Sequence, residues 1–389
     1  MGGIESKCGT LLHGLLMPKV ADADYAGSRR IISFPDPPVG SLLLLSSIAL
    51  RVAPGAVEAS RSFLVAGLGG RCVEAADGLL SISIGATQLR LDGSASGRPG
   101  LAEVWPGHFY LWVEDSVQTH DQCEKLEKTL GGDIIKEVHR IKDEYGVDAM
   151  VLQQPVGNNT FIINPAPVGG MADNMRSVLP ARADAAGVGG GVGGGGNALG
   201  VIDMMHLVPP GASDAVARFY EHFLGAAMTK KNEGWALHFS LGPALHQTMT
   251  FIEDESLVAA VGAGGETQHG ETKHGLEDSP EVCMYVLSKS HLNAAFRRCS
   301  QAGLVDSQVI WEDVDAACEF RFSRCIDPKN LDNVVLQLQH IIRSPDHKEW
   351  PLPPEAITRA SAGYSAPFQE LPFEAGSSHK RFLDKLFEK

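Results

Sequence analysis

The sequence predicts an α+β protein built from four β-α-β-β-β modules in two tandem domains. Three observations carry this reading: an internal repeat, a recurring order of strand and helix signals, and a glycine-rich break in mid-chain. Residues 52–69, VAPGAVEASRSFLVAGLG, align without a gap on residues 208–225, VPPGASDAVARFYEHFLG. Val52, Pro54, Gly55, Ala59, Phe63, Leu68 and Gly69 fall on Val208, Pro210, Gly211, Ala215, Phe219, Leu224 and Gly225. A second pair matches Val113 with Val286 and Pro155 with Pro328.

The elements follow in chain order. Residues 43–52 read as a buried strand, because LLLLSSIAL has no polar face. Val57, Phe63, Leu64 and Leu68 recur at helical spacing over 55–68, and Gly69-Gly70 ends that helix. A strand near Arg71–Ala75 follows. LLSISIG (79–85) and TQLRLDG (87–93) alternate and turn at glycine, as hairpin strands do. The second module starts with HFYLWVED (108–115) and a helix over 116–130. GDIIKEVHRIK, VDAMVLQQ and NTFIINP then supply three strands. The third has a strand at 201–208, a helix at 212–224, and strands at 235–241 and 247–252. The fourth has a strand at 281–287, a helix at 289–302, and strands at 307–311, 317–323 and 333–341.

The expected boundaries are an N-terminal extension, 1–40, and a first domain, 41–165, with modules 41–98 and 107–165. A linker, 166–199, ends almost entirely in Gly, Val and Ala. The second domain, 200–343, holds modules 200–254 and 281–343 around a polar insert, 255–280. A C-terminal extension covers 344–389; WPLPPE within it is too proline-rich for regular structure.

Composition narrows the function. The chain has 389 residues and a net charge of −14, which argues against a nucleic-acid surface. No apolar run approaches the roughly 20 residues of a membrane span. Seven scattered cysteines without a CxxC pair fit reduced thiols and a cytoplasmic location. The start, MGGIESKC, matches a myristoylation pattern at Gly2, with Cys8 placed for a second acyl chain. Such acylation would tie the chain to a membrane surface; the alternative is an unmodified start.

HLVPPGASDAVARFYEHFLG (206–225) and CIDPKNLDNVVLQL (325–338) resemble the opening strand and helix and the closing turn and strand of the vicinal-oxygen-chelate superfamily. That superfamily includes glyoxalase, bleomycin-resistance and extradiol-dioxygenase proteins. The resemblance implies two modules per cupped half-barrel and a small-molecule ligand in the cup. It also implies a divalent metal held by residues from the first and last strands of each module.

Strand phase then selects cup residues, since side chains two apart share a face. Met204, His206 and Val208 align with apolar Ile48, Leu50 and Val52, so they face the helix. Asp203, Met205 and Leu207 face the cup. The same phase gives His108, Tyr110 and Trp112 in module two, Glu281, Cys283 and Tyr285 in module four, and Gln337 and Gln339 in the last strand. The expected metal set is Asp203, Glu281 and Gln337, an oxygen-rich set suited to Mg²⁺, Mn²⁺ or Ca²⁺; Fe and Zn are not separated from these. Glu281 and His108 are the expected acid–base residues. Tyr110, Trp112, Met205, Tyr285 and Gln339 are the expected ligand contacts. QHGETKHG places His269, Glu271 and His274 in the insert, where a mobile loop is the simpler reading. The implied activity is a metal-dependent lyase, isomerase or dioxygenase. The alternative is a non-catalytic binding or scaffold protein, monomeric or homodimeric.

Overall fold

The computed structural model describes residues 41–74, 79–93, 101–140, 148–155, 157–167, 172–173, 175, 197–241, 245–257 and 279–352. Gly2, Cys8, His269, Glu271 and His274 lie outside them. So do most of the linker, the insert and the C-terminal extension.

Module one comprises β1 (Leu42–Arg51), α1 (Val57–Ser62, continued by a π turn, Phe63–Gly67), β2 (Arg71–Glu74), β3 (Leu79–Ile84) and β4 (Thr87–Asp92). Module two is β5 (Gly107–Val113), α2 (Ser116–Leu130), β6 (Ile135–Arg140), β7 (Asp148–Gln153) and β8 (Thr160–Pro165). Asp115 caps α2, its carboxylate accepting from the Gln118 amide. Module three is β9 (Ala198–Val208), α3 (Ser213–Phe219, with a π turn, Tyr220–Leu224), β10 (Ala227–Lys231), β11 (Gly234–Ser240) and β12 (His246–Glu253). Gly225 ends its helix in the left-handed conformation at φ 66°. Module four is β13 (Glu281–Val286), α4 (Lys289–Gln301), α5 (Trp311–Ala317), β14 (Glu319–Asp327) and β15 (Asn330–Arg343).

Two elements differ from the sequence reading. β10 is an additional strand; its AMTKK sequence is exposed over its last three residues and carries little apolar signal. The strand expected over 307–311 does not form, and α5 begins there instead. Glu312 and Asp313 sit in its first turn, where the helix dipole favours acidic groups, while Val314 is buried. Module four therefore has one strand fewer, and its sheet has seven strands against eight.

The sheets do not follow the linear halves of the chain. One has the order β14-β15-β13-β1-β4-β3-β2 and joins modules one and four. The other has the order β10-β11-β12-β9-β5-β8-β7-β6 and joins modules two and three. The division into 41–165 and 200–343 expected from the linker is thus not the division of the sheets. β1 pairs antiparallel with β13, Ala49 opposite Glu281. β5 pairs antiparallel with β9, Tyr110 opposite Asp203. Within every module the first strand lies parallel to the last.

One face of each sheet joins a common apolar core. Ile48, Val282 and Met284 from the first sheet share it with Met204 and Phe251 from the second and with Phe219 and Phe223 of the module-three helix. His206 belongs to this layer, as strand phase requires. It is 3% exposed and lies edge-on to Trp105 at 5.1 Å. His340 is stacked on Phe322 at 4.3 Å and meets the Tyr220 hydroxyl at 2.8 Å.

A buried polar clamp joins the sheets. The register of β1 on β13 shifts between Leu45 and Ser47. There the Leu45 amide donates to Gln247 Oε1 at 3.2 Å, and Thr87 Oγ1 donates to the Leu45 carbonyl at 2.9 Å. Gln247 Nε2 donates to Thr87 Oγ1 at 2.7 Å and to the Val201 carbonyl at 3.0 Å.

Two predictions follow from this core. Gln247→Leu leaves the Leu45 amide without its acceptor and costs about 2 kcal/mol in urea unfolding. Adding Thr87→Val costs less than that change does alone, because both belong to one network. The second concerns acid. Burial lowers the pKa of His206 to about 4 and that of His340 to about 3. An unfolded histidine titrates near 6.5, so below that pH the unfolded chain binds protons that the fold excludes. Stability is full above about pH 6.5 and declines as pH falls toward 4. Unfolding free energies measured across that range show the slope, and His340→Gln flattens it.

Candidate functional site

The faces turned away from the common core, the cup faces, differ sharply between the sheets. β1 is buried along both faces except at Arg51, and β13 is buried throughout. Leu43, Leu44, Cys283, Tyr285 and Ile341 form an apolar cluster with Met175, Leu241 and Leu352. Trp350 stands edge-on to Tyr285 at 4.8 Å. Tyr285 is therefore part of a packed interior, and Trp112 packs in the same cluster.

The rest of the first cup face carries charges that pair with one another. Arg321 lies 2.7 Å from Glu319 and 3.7 Å from Glu281. Arg343 holds Glu319 at 2.6 Å and Glu349 at 2.7 Å. Burial alone would raise the Glu319 pKa, but Arg343 and Arg321 outweigh it and hold the carboxyl below its ordinary value. Two pockets border this network. One, of about 260 Å³, is lined by Glu281, Asp306, Arg321 and Gln339. The other, of about 510 Å³, is lined by Glu319, Arg343, His347 and Glu349. Polar and charged groups make up most of both walls, and the arginines among them are paired with carboxylates, unlike the mostly apolar lining of small-molecule sites.

The cup face of the second sheet stays accessible. β12 alternates without a break: Gln247, Met249 and Phe251 are buried, and His246, Thr248, Thr250 and Ile252 are half-buried. A single register row crosses four strands: His238 on β11, Thr248 on β12, Asp203 on β9 and Tyr110 on β5. The adjacent row contains Thr250, Met205, His108 and Thr160. Tyr110, Met205, Ile162 and Val151 form an apolar floor.

Asp203 is the polar centre of this floor. Its Oδ1 accepts from Thr248 Oγ1 at 2.7 Å and from Thr250 Oγ1 at 3.0 Å. Thr250 also reaches Oδ2 at 3.2 Å, but its single hydroxyl proton serves one oxygen at a time. Oδ2 thus retains acceptor capacity. Burial raises the Asp203 pKa; the threonine hydroxyls, the Met204 amide and Lys231 oppose that rise. Burial and the Asp203 charge also raise the pKa of Tyr110.

The expected metal set is not brought together. Asp203 lies on the second sheet and Glu281 on the first. Gln337 is on the first sheet but exposed, and its strand partner is Arg324. The residue opposite Glu281 on β15 is Gln339, whose amide donates to the Ser279 carbonyl at 3.4 Å. The Arg321 guanidinium faces Glu281 where a divalent cation would compete with it. The residues present therefore do not fit one ion shared by Asp203, Glu281 and Gln337. Among the described residues, one group of three His, Cys or carboxylate ligands is close enough for an ion: His120, Asp121 and Glu124, on the surface of α2. Exposed groups of this kind are common without a metal.

The arrangement of modules decides the fold type. Two modules meet through their first strands, and each first strand lies beside the last strand of its own module. The fold is of the vicinal-oxygen-chelate type. The sequence matches no protein-family model and no curated protein. Among solved structures, a Bacillus subtilis protein described as a dioxygenase candidate is 13% identical, with 89% of this chain and 97% of that chain covered, at a TM-score of 0.45. Glyoxalase I from Zea mays is 13% identical over 77% of this chain and 92% of that chain, at 0.42. The fosfomycin resistance protein FosX from Mesorhizobium loti is 16% identical over 32% of this chain and 92% of that chain, at 0.24.

Strand phase assigned Asp203 and Met205 to the cup of the second half and His108 and Tyr110 to that of the first; the pairing of β5 with β9 puts all four on one sheet. It passed over Thr248, Thr250, His238 and His246, although HQTMTFIE alternates polar and apolar residues at period two. Arg321 gave no signal, because its role depends on β14 lying beside β15. The charge network makes a direct prediction. Arg343→Met leaves the half-buried Glu319 carboxylate with Arg321 as its arginine partner and costs about 2 kcal/mol. Arg321→Ala removes a side chain that is 56% exposed and costs no more than about 1 kcal/mol. Denaturant unfolding of the two variants gives both values.

Proposed function

We propose that this protein binds a small molecule on the cup face of its second sheet, around Asp203. One observation carries the reading: a half-buried carboxylate oriented by two half-buried threonine hydroxyls stands over a buried apolar floor, edged by the partly exposed Ile202, Leu207 and Ile252. Ligand sites typically combine an apolar lining with a few fixed polar groups. The floor suits a small, partly apolar molecule with a hydroxyl, amide N–H or amine that donates to Asp203 Oδ2. Ile202, Leu207 and Ile252, which pack half-buried on Met205 and Ile162, supply apolar contact. In this reading His108, one register row from Asp203, is the acid–base group nearest a bound ligand. Glu281, Tyr285, Gln337, Gln339 and Trp112 take no part.

The test is a panel of small alcohols, amides and amines, followed by the methyl resonances of Thr248, Thr250 and Met205. Ligands of the expected class perturb these signals together. Asp203→Ala weakens their binding by about tenfold or more, the value of a hydrogen bond to a charged group. Binding that ignores Asp203→Ala, or that perturbs residues of the first sheet instead, overturns the reading.

A further inference from the structure

At the edge of the second cup face two imidazoles meet. His238 on β11 and His246 on β12 place Nδ1 and Nε2 2.9 Å apart, with ring centroids at 5.1 Å. Both side chains are half-buried on strands anchored by core residues, Leu237 and Phe239 on β11 and Gln247 and Met249 on β12. The other nitrogen of His238, Nε2, lies 2.8 Å from Thr229 Oγ1 on β10. Three adjacent strands thus hold two imidazoles in a direct ring-to-ring hydrogen bond, with a hydroxyl fixing the outer edge of one ring.

We infer that His238 and His246 form a binding site for a divalent transition-metal ion of the zinc and copper class, held through His238 Nδ1 and His246 Nε2. Imidazole nitrogen suits these ions and suits Mg²⁺ or Ca²⁺ poorly. The site differs from the set implied by the family resemblance in one ligand, because His246 is on β12, the last strand of module three, but His238 is on β11. His238 lies on an inner strand, and His246 lies one strand row beyond Thr248, which contacts Asp203. It also stands apart from the Asp203 reading, since Asp203 supplies no ligand here.

The proton accounting closes without loss of a proton. In the metal-bound form His238 keeps its proton on Nε2 and donates it to Thr229. His246 carries its proton on Nδ1. Each neutral ring then offers one lone pair to the ion. Metal binding takes the neutral form of both rings. Two nitrogens on a tetrahedral ion at about 2.0–2.1 Å sit about 3.3 Å apart. To take the ion the pair gives up its mutual hydrogen bond, opens by a few tenths of an ångström, and turns the ring nitrogens from each other toward the metal by side-chain rotation. Water, or an oxygen of a molecule lying across the same face, completes the coordination. Lys231 is the nearby cation that opposes the ion and limits its affinity.

The test uses the full chain, with Zn²⁺ titrated by calorimetry and Cu²⁺ followed by electron paramagnetic resonance at pH 7. The expected result is one saturable high-affinity ion per chain, with hyperfine structure from two imidazole nitrogens. His238→Gln and His246→Gln each abolish that site. Thr229→Val, which frees the outer edge of His238, weakens it about tenfold. Lys231→Gln tightens it. Asp203→Ala leaves it unchanged, so failure of the small-molecule reading and failure of this one are distinguishable. Circular dichroism melts confirm that the variants fold. Absence of saturable binding in the wild type, one-nitrogen hyperfine structure, or full retention in both histidine variants overturns the inference.

Discussion

The structure depends on how the two sheets are held to each other, and that task falls on Gln247. The β1 strand slips its register on β13 near Leu45, which disturbs a buried ladder. A buried amide or carbonyl without a partner is costly, so the disturbance needs side chains to complete it. Gln247 and Thr87 do so, and the glutamine also takes up the Val201 carbonyl of β9. One side chain of the second sheet thereby satisfies backbone of both. Asn197 plays a related part at the start of β9. Its side chain accepts from the Asp115 amide and donates to the Asp115 carbonyl and the Thr119 hydroxyl. Both clamps fix β9, the strand that presents Asp203.

From one module plan the chain makes two unlike surfaces. In the first sheet arginines stand among the carboxylates, and the segment after β15 lays Trp350 and Leu352 against the interior. That face is devoted to packing. In the second sheet β12 keeps a polar edge of histidine and threonine toward the outside while burying methionine and phenylalanine. Duplication supplied equivalent positions, and different side chains have turned one copy into structure and left the other accessible.

Much of the architecture was legible in residue pattern. The repeat located the equivalent first strands, and comparing His206 with Leu50 correctly placed that histidine in the core. The run LLLLSSIAL read as a strand buried on both faces, and it is one. Alternation assigned Asp203 and Tyr110 to the cups of different halves, and the register sets them opposite each other on one sheet. The partnership of modules was not legible, because strand pairing across a long linker leaves no mark in either strand. That gap carried Asp203 and Glu281 to different sheets. Register also chose Gln339 over Gln337 beside Glu281, through the regular parallel pairing of β13 with β15. Alternation identifies a face but cannot count rows along it.

The nested pairing of modules has a consequence for how the chain reaches its fold. β5 and β9 belong to modules that are neighbours in sequence, so the second sheet can assemble from chain that is contiguous apart from the linker. β1 finds its antiparallel partner only in β13, after more than half of the chain has intervened. Contacts between distant segments are slow to form, because the loop between them must close first. As the chain emerges from the ribosome, the apolar β1 strand exists well before its partner does. During that interval the β13-facing edge of LLLLSSIAL is unpaired and open to wrong association, while its other edge can already pair with β4.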